Sequence, residues 1–304
     1  GDGSVSVVDH TILTVGLRSY EQDSMVDAKD GYFGVLDGVE KVFNSNDSGV
    51  VPKVNIAHNI SDDVMVYGTY SEGFRASGIN RVRPAQTAFI PETYDSDYLE
   101  SLEFGFKSTL ADGKLILNGA YFMMDWNDFQ STTFNLAYST VAFVDNVGNA
   151  EINGLELDAT YKPNDTLTLS GYIVSNDPSL SEDYYDVSGV LQANSGNRLA
   201  YVPELSYVLG LDKVLSIFGM PGYVSVDYSY TGDRYTSQAN DLKLPSYAIA
   251  NMRVGVESGN RSMEVFISNL TDENGYQSRY NDFGDIRRTQ NRPRVIGLRF
   301  KYRY

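Results

Sequence analysis

The chain has 304 residues, a net charge of −16, no cysteine, 23 tyrosines, 14 phenylalanines and one tryptophan. That acidic balance excludes nucleic acid as a partner, because phosphate binding needs a basic surface. The lack of cysteine excludes a disulfide scaffold, a thiolate metal site and a cysteine nucleophile. Mean hydropathy is −0.29, and no apolar run approaches the ~18 residues of a membrane-crossing helix.

Period-two alternation of apolar and polar residues predicts about twelve strands. They fall at 11–20, 50–59, 63–72, 98–110, 114–127, 150–162, 165–175, 204–214, 222–232, 246–257, 261–270 and 293–304. In 150–162, Leu155, Leu157, Ala159 and Tyr161 oppose Gly154, Glu156, Asp158 and Thr160. In 222–232, Val224, Val226, Tyr228 and Tyr230 oppose Ser225, Asp227 and Ser229. The last strand sets Ile296, Leu298, Phe300, Tyr302 and Tyr304 on one face and Arg299, Lys301 and Arg303 on the other. A second face this polar does not suit a sandwich core; it suits a wall between lipid and a wet lumen.

The connections sort into two kinds. Short ones lie at 59–62, 111–113, 162–165 and 258–260, with a slightly longer one at 215–221. Long ones lie at 21–49, 73–97, 128–149, 176–203, 233–245 and 271–292. The two kinds alternate strictly, as in an up-and-down barrel with tight periplasmic turns and long outer loops. The expected fold is therefore all-β, a transmembrane antiparallel up-and-down β-barrel. Acids gather in the long connections, for example Glu21, Asp23, Asp27 and Asp30, or Glu182, Asp183 and Asp186. They read as a solvated outer surface, with a cationic or metal-bearing ligand as the rival reading. Gly1-Asp2-Gly3-Ser4 lacks the charged and apolar regions of an export signal, so the expectation is a processed chain or a fragment.

Several stretches, in order and spacing, resemble the TonB-dependent outer-membrane receptors. Val64-Met65-Val66-Tyr67-Gly68-Thr69-Tyr70-Ser71-Glu72-Gly73-Phe74-Arg75 is similar to a strand end of that family, and Glu103-Phe104-Gly105-Phe106-Lys107 to its E-x-G-x-K strand. Asn146-Val147-Gly148-Asn149-Ala150-Glu151-Ile152-Asn153-Gly154-Leu155-Glu156, Asn269-Leu270-Thr271-Asp272 and Arg292-Pro293-Arg294 resemble three further family segments. The resemblance covers essentially the whole chain and implies that 1–304 is the C-terminal portion of the barrel. That portion holds about the last twelve of roughly 22 strands around a plugged lumen, with the plug domain and N-terminal strands absent. An open sheet of this size leaves two unpaired edges in lipid.

The resemblance further implies an active-transport receptor for nutrient uptake in the Gram-negative cell outer membrane, most often for a ferric siderophore. The implied partners are the TonB-ExbB-ExbD complex through a missing N-terminal region, a plug domain, lipopolysaccharide and the barrel-assembly machinery. A receptor for a glycan, cobalamin or nickel is the alternative, followed by a passive porin-like channel and then an outer-membrane enzyme. Phe74-Arg75-Ala76-Ser77 departs from the Phe-Arg-Ala-Pro box of haem-uptake members, and His10 and His58 both precede it, which speaks against haem. Arg75, Arg81 and Arg83 form a basic cluster at the outer mouth, suited to carboxylate or catecholate oxygens or to holding acidic loops together. Tyr94, Trp126 and Phe129 are candidate stacking residues there, or interface anchors. Phe300, Tyr302 and Tyr304 resemble the terminal aromatic signal read during barrel assembly. The charges at Glu103, Glu156, Asp158, Asp227, Arg253, Glu264 and Arg299 are spread over separate strands and read as a lumen wall. No catalytic, metal or cofactor arrangement is expected.

Overall fold

The computed structural model describes residues 2–29, 40–80, 90–133, 142–282 and 285–303. They form one 13-stranded sheet in which every neighbouring pair is antiparallel and consecutive in the chain. The wall strands are β1 (Asp2–Val8), β2 (Thr11–Lys29), β3 (Glu40–Ser61), β4 (Val64–Arg75), β5 (Asp97–Leu110), β6 (Leu115–Asn127) and β7 (Ala150–Asn164). They continue as β8 (Leu167–Leu180), β9 (Leu205–Ile217), β10 (Met220–Thr231), β11 (Tyr247–Ser258), β12 (Arg261–Ser268) and β13 (Val295–Tyr302). No helix is present among the described residues.

All twelve strands read from the alternation are present, and two boundaries need correction. A thirteenth strand, β1, precedes them and pairs with β2 through the turn at Asp9-His10. The acidic stretch expected as loop 21–49 is largely a ribbon, paired from Tyr20↔Gly49 up to Lys29↔Glu40. Above the apolar band a two-stranded ribbon needs no apolar face, so its polar composition hides it from a pattern search. The connection expected at 215–221 tightens to Phe218-Gly219, whose φ values of 52° and 78° fit a two-residue turn with both central residues left-handed. Short turns and long connections alternate along the whole sheet. The long ones carry small ribbons of their own, such as 130–133 with 143–146, 234–235 with 243–244 and 276–282 with 285–290.

The register carries apolar side chains across the sheet in continuous rows. One row runs Ile296, Ile267, Met252, Val226, Leu211, Leu169, Tyr161, Leu115 and Leu110, each directly opposite the next. On the edge strand Ile296, Leu298 and Phe300 are 68%, 63% and 70% exposed. An apolar face of that extent is tolerated only under lipid or another apolar partner.

The opposite face is polar and cross-braced. Arg299 Nη1 lies 2.7 Å from Glu264 Oε1, Tyr67 donates to Glu103 at 2.6 Å, Asn118 to Asp158 at 3.2 Å and Arg253 to Ser225 at 3.2 Å. Aromatic rings on this face lie flat over directly opposed glycines, as Tyr67 does over Gly105 and Tyr223 over Gly255. A Cβ at either glycine would meet ring atoms at 2.5 Å and 2.4 Å, so only glycine lets the ring lie down and seal the wall.

Candidate ligand-facing mouth

Buried side chains gather not inside the sheet but at its long-connection end. Alternation and register place Arg75, Asp97, Trp126, Ala150 and Leu180 on the polar face of adjacent strands there. Asp97 is 1% exposed and is the hub. Its carboxylate accepts from the Arg75 backbone N–H at 3.2 Å, from Arg75 Nε at 2.9–3.0 Å, from Trp126 Nε1 at 3.0 Å and from the Gln130 backbone N–H at 2.9 Å. Arg75 Nη2 also pairs with Asp97 and donates to the Gln130 carbonyl at 2.7 Å. The Arg75 guanidinium lies 4.8 Å above the Trp126 ring and 5.7 Å from Phe129, and those two rings are 4.4 Å apart. A buried carboxylate is stable only when its lone pairs are filled and a cation is close, and both conditions hold.

Beside this hub Val147, Ala150, Leu180, Tyr184, Ala193 and Leu199 pack as a small core, with Trp126 and Phe129 against it. Tyr184 donates to Asp145 at 2.7 Å. Burial, followed by that hydrogen bond, pushes the Tyr184 phenol well above its usual range, and burial raises the Asp145 carboxyl. Asn80 joins two connections: it donates to the Val144 carbonyl at 2.6 Å and accepts from the Val144 N–H at 2.8 Å. The long connections are thus a hydrogen-bonded rim.

Of the residues expected at the mouth, Arg75, Trp126 and Phe129 come together. Arg75 is committed to Asp97 on one side, and its side chain is 47% exposed on the other. Tyr94 lies apart, on the ribbon formed by 78–79 and 93–94, with its ring over Gly78. Arg81 and Arg83 lie outside the described residues. Phe300 and Tyr302 lie on the exposed apolar face of β13, and Tyr304 is outside the described residues. Asp97, Gln130 and Asn80 were not singled out by sequence. Their role depends on the register of distant strands, and in one dimension Asp97 is one acid among many.

A second polar group sits over β9–β11. Arg198 Nη1 and Lys243 Nζ lie 3.0 Å and 2.9 Å from Asp233. The Lys243 hydrogen bond, with help from Arg198, holds the Asp233 carboxyl below its usual range, and Asp233 in turn raises the Lys243 amine. At the base of the last long connection Asn269, 3% exposed, donates to the Glu273 and Arg292 carbonyls at 2.9 Å and 3.1 Å. The Asn269–Asp272 segment noted in the sequence is therefore a loop clasp, completed by the Arg294 N–H donating to Asp272 at 2.8 Å.

A consecutive antiparallel meander, apolar on one face and polar on the other, with short and long connections in strict alternation, is the wall of a membrane-spanning β-barrel. The sequence matches the family described as TonB dependent receptor-like, beta-barrel, over residues 1–270, and the chain belongs to that family. It is 23% identical over 243 residues to the pesticin receptor of Yersinia pestis, a match covering 79% of this chain and 33% of that protein. The fold is similar to that of the ferric yersiniabactin uptake receptor of Yersinia pestis, with a TM-score of 0.83 and 19% identity over 99% of this chain and 44% of that one. It is also similar to the siderophore receptor of Acinetobacter baumannii called PiuA, with a TM-score of 0.79 and 17% identity over 99% of this chain and 42% of that one. The chain thus spans about a third of the length of the curated relative and less than half of each solved structure.

Proposed function

We propose that this chain is the C-terminal barrel wall of an outer-membrane receptor that takes up a ferric siderophore with energy relayed by TonB. The observation that carries the proposal is the family membership of residues 1–270, joined to a fold likeness over 99% of the chain to a receptor named for ferric yersiniabactin. In this reading the polar face surrounds a plug domain and the apolar face meets lipid and lipopolysaccharide. The rim braced by Asp97 holds the loops that first meet the ligand. Arg75, Arg81, Arg83, Tyr94, Trp126 and Phe129 are proposed to border the ligand's path, with Arg75 and Trp126 acting chiefly to stiffen it. The TonB-ExbB-ExbD complex acts through a region N-terminal to this wall. Phe300, Tyr302 and Tyr304 serve recognition by the barrel-assembly machinery.

The test uses the intact receptor in its host. Deleting the gene should abolish growth on a particular ferric siderophore as sole iron source, and the intact gene should restore it. Unchanged growth on every ferric siderophore supplied, with expression indifferent to iron, would overturn the reading in favour of another cargo.

A further inference from the structure

Three buried side-chain nitrogen or oxygen atoms lack a hydrogen-bond partner among the described residues: Arg198 Nε, Arg234 Nη1 and Arg279 Nε. All three are guanidinium nitrogens, and all three lie in the long connections after β8, β10 and β12. Arg198 Nε is at least ion-paired, 3.3 Å from Glu204. Arg234 and Arg279 have no carboxylate partner among the residues whose side chains are described. Arg234 is only 6% exposed. A desolvated charged donor without an acceptor is unfavourable, so each marks a place where an acceptor belongs.

These groups are physically joined. Arg198 grips Asp233, and the next residue, Arg234, donates through Nη2 to the carbonyls of Tyr276 and Gln277 at 3.0 Å and 3.3 Å. Two residues beyond Gln277, Arg279 sits directly opposite Arg288 across the 276–290 ribbon. Like charges opposed in this way are destabilising; Arg288 Nη1 donates to the Tyr276 hydroxyl at 3.2 Å, and no carboxylate among the described side chains pairs with either arginine. Three of these four cations also face a tyrosine: Arg198 over Tyr235 at 5.4 Å, Arg234 over Tyr247 at 5.6 Å and Arg288 over Tyr276 at 5.1 Å. Tyr247 alternates with Ile249, Asn251 and Arg253 on the polar face of β11, so this stack stands over the inner side of the mouth.

We infer that Arg234, Arg279 and Arg288, with Tyr247 and Tyr276, form a docking site for an anionic chelate that carries an aromatic ring. Its oxygen anions take the unpartnered guanidinium N–H groups, for which planar forks are suited, and its ring extends the arginine–tyrosine stack. This assignment rests on the receptor reading above and moves the principal ligand contacts from Arg75, which Asp97 occupies, to the last two long connections.

The test is calorimetric titration of the full-length receptor in detergent with the ferric complex of 2,3-dihydroxybenzoate, with ferric citrate and inorganic phosphate in parallel. The Arg279→Gln/Arg288→Gln pair should weaken binding of the aryl chelate by about tenfold or more while heat-modifiable gel mobility stays unchanged. The Arg279→Lys/Arg288→Lys pair, which keeps charge but not the fork, should fall between the two. Equal affinity of all three proteins for the aryl chelate overturns the site and leaves the receptor reading standing. Binding of neither ferric complex by the unaltered receptor also overturns the site, while the receptor reading is decided by the growth test above. If the substitutions abolish phosphate binding alone, the group is a headgroup site for lipopolysaccharide, and the proposal fails.

Discussion

Asp97→Asn is the sharpest perturbation of the rim. The substitution is close to isosteric, but it removes the charge and turns one acceptor oxygen into a donor. Among the described residues that carboxylate faces only donors: the Arg75 N–H, the Arg75 guanidinium, Trp126 Nε1 and the Gln130 N–H. The amide keeps one oxygen, so at least two charge-assisted hydrogen bonds are lost, and its NH2 group points at other donors. Charge-assisted bonds contribute about 1.5–3 kcal/mol each, and breaking a buried ion pair by removing one partner costs about 3–5 kcal/mol. Arg75 is 47% exposed and regains water when its partner is lost, which discounts the figure to about 2–4 kcal/mol. Trp126 is the single tryptophan of the 304 residues, and it touches both members of the pair. In the intact receptor, with any tryptophan outside these residues replaced by phenylalanine, its emission should shift to the red in Asp97→Asn, and urea unfolding in phospholipid vesicles should move to lower denaturant by the corresponding amount. A change below about 0.5 kcal/mol, the size expected for a surface substitution, would show that Asp97 does not hold the rim together.

Three further outcomes follow from single features. Leu298→Arg, on the apolar face and 63% exposed, should cost about 2–4 kcal/mol in vesicle unfolding; an effect near zero would mean that this face does not meet lipid. Phe218 holds a φ of 52° at a turn tip where its side chain is 94% exposed, so Phe218→Asn should stabilise by about 1 kcal/mol, and a loss of stability would show that the ring has a partner. For Asp233, whose folded carboxyl is lowered mainly by the Lys243 hydrogen bond, the linked stability is fully present above the ordinary carboxyl value of about 3.9. It disappears as pH falls through the lowered folded value. Lys243→Met should therefore move the acid transition of this loop to higher pH, read by carboxyl carbon NMR, whereas an unmoved transition would assign the shift to Arg198 alone.

The wall was legible because its physics is local. Alternation at Leu155, Leu157, Ala159 and Tyr161 follows directly from a strand with two different surroundings, and the turn chemistry at Gly113 and Gly259 marks its ends. The upper ribbon of β2 and β3 escaped the pattern because residues such as Asp23, Ser24, Asn44 and Asn46 face water on both sides, which removes the contrast that the alternation detects. Arg75 was expected at the outer mouth from the family resemblance, and Trp126 and Phe129 from their places near strand ends; the three lie together at the long-connection end of the sheet. What they contact there was not legible. Asp97 is separated from Arg75 by 22 residues and from Trp126 by 29, and only the register of β4, β5 and β6 brings the three together. The Arg234–Tyr276 contact spans 42 residues and is set by the packing of one loop ribbon against another, which no short-range signal encodes.

The most direct test asks which ends of the strands face outward. None of these 304 residues is a cysteine, so single cysteines can be placed on each side of the wall in the intact receptor, with any cysteine outside them replaced by serine. Val187 and Arg287 lie in long connections, while Asp165 and Phe218 lie in short turns, and all four positions are exposed. On intact cells a membrane-impermeant maleimide should label Val187→Cys and Arg287→Cys, and should reach Asp165→Cys and Phe218→Cys only after the outer membrane is breached. Labelling of the short-turn cysteines on intact cells, with the long-connection cysteines protected, would invert the wall and contradict both the topology and the receptor built on it.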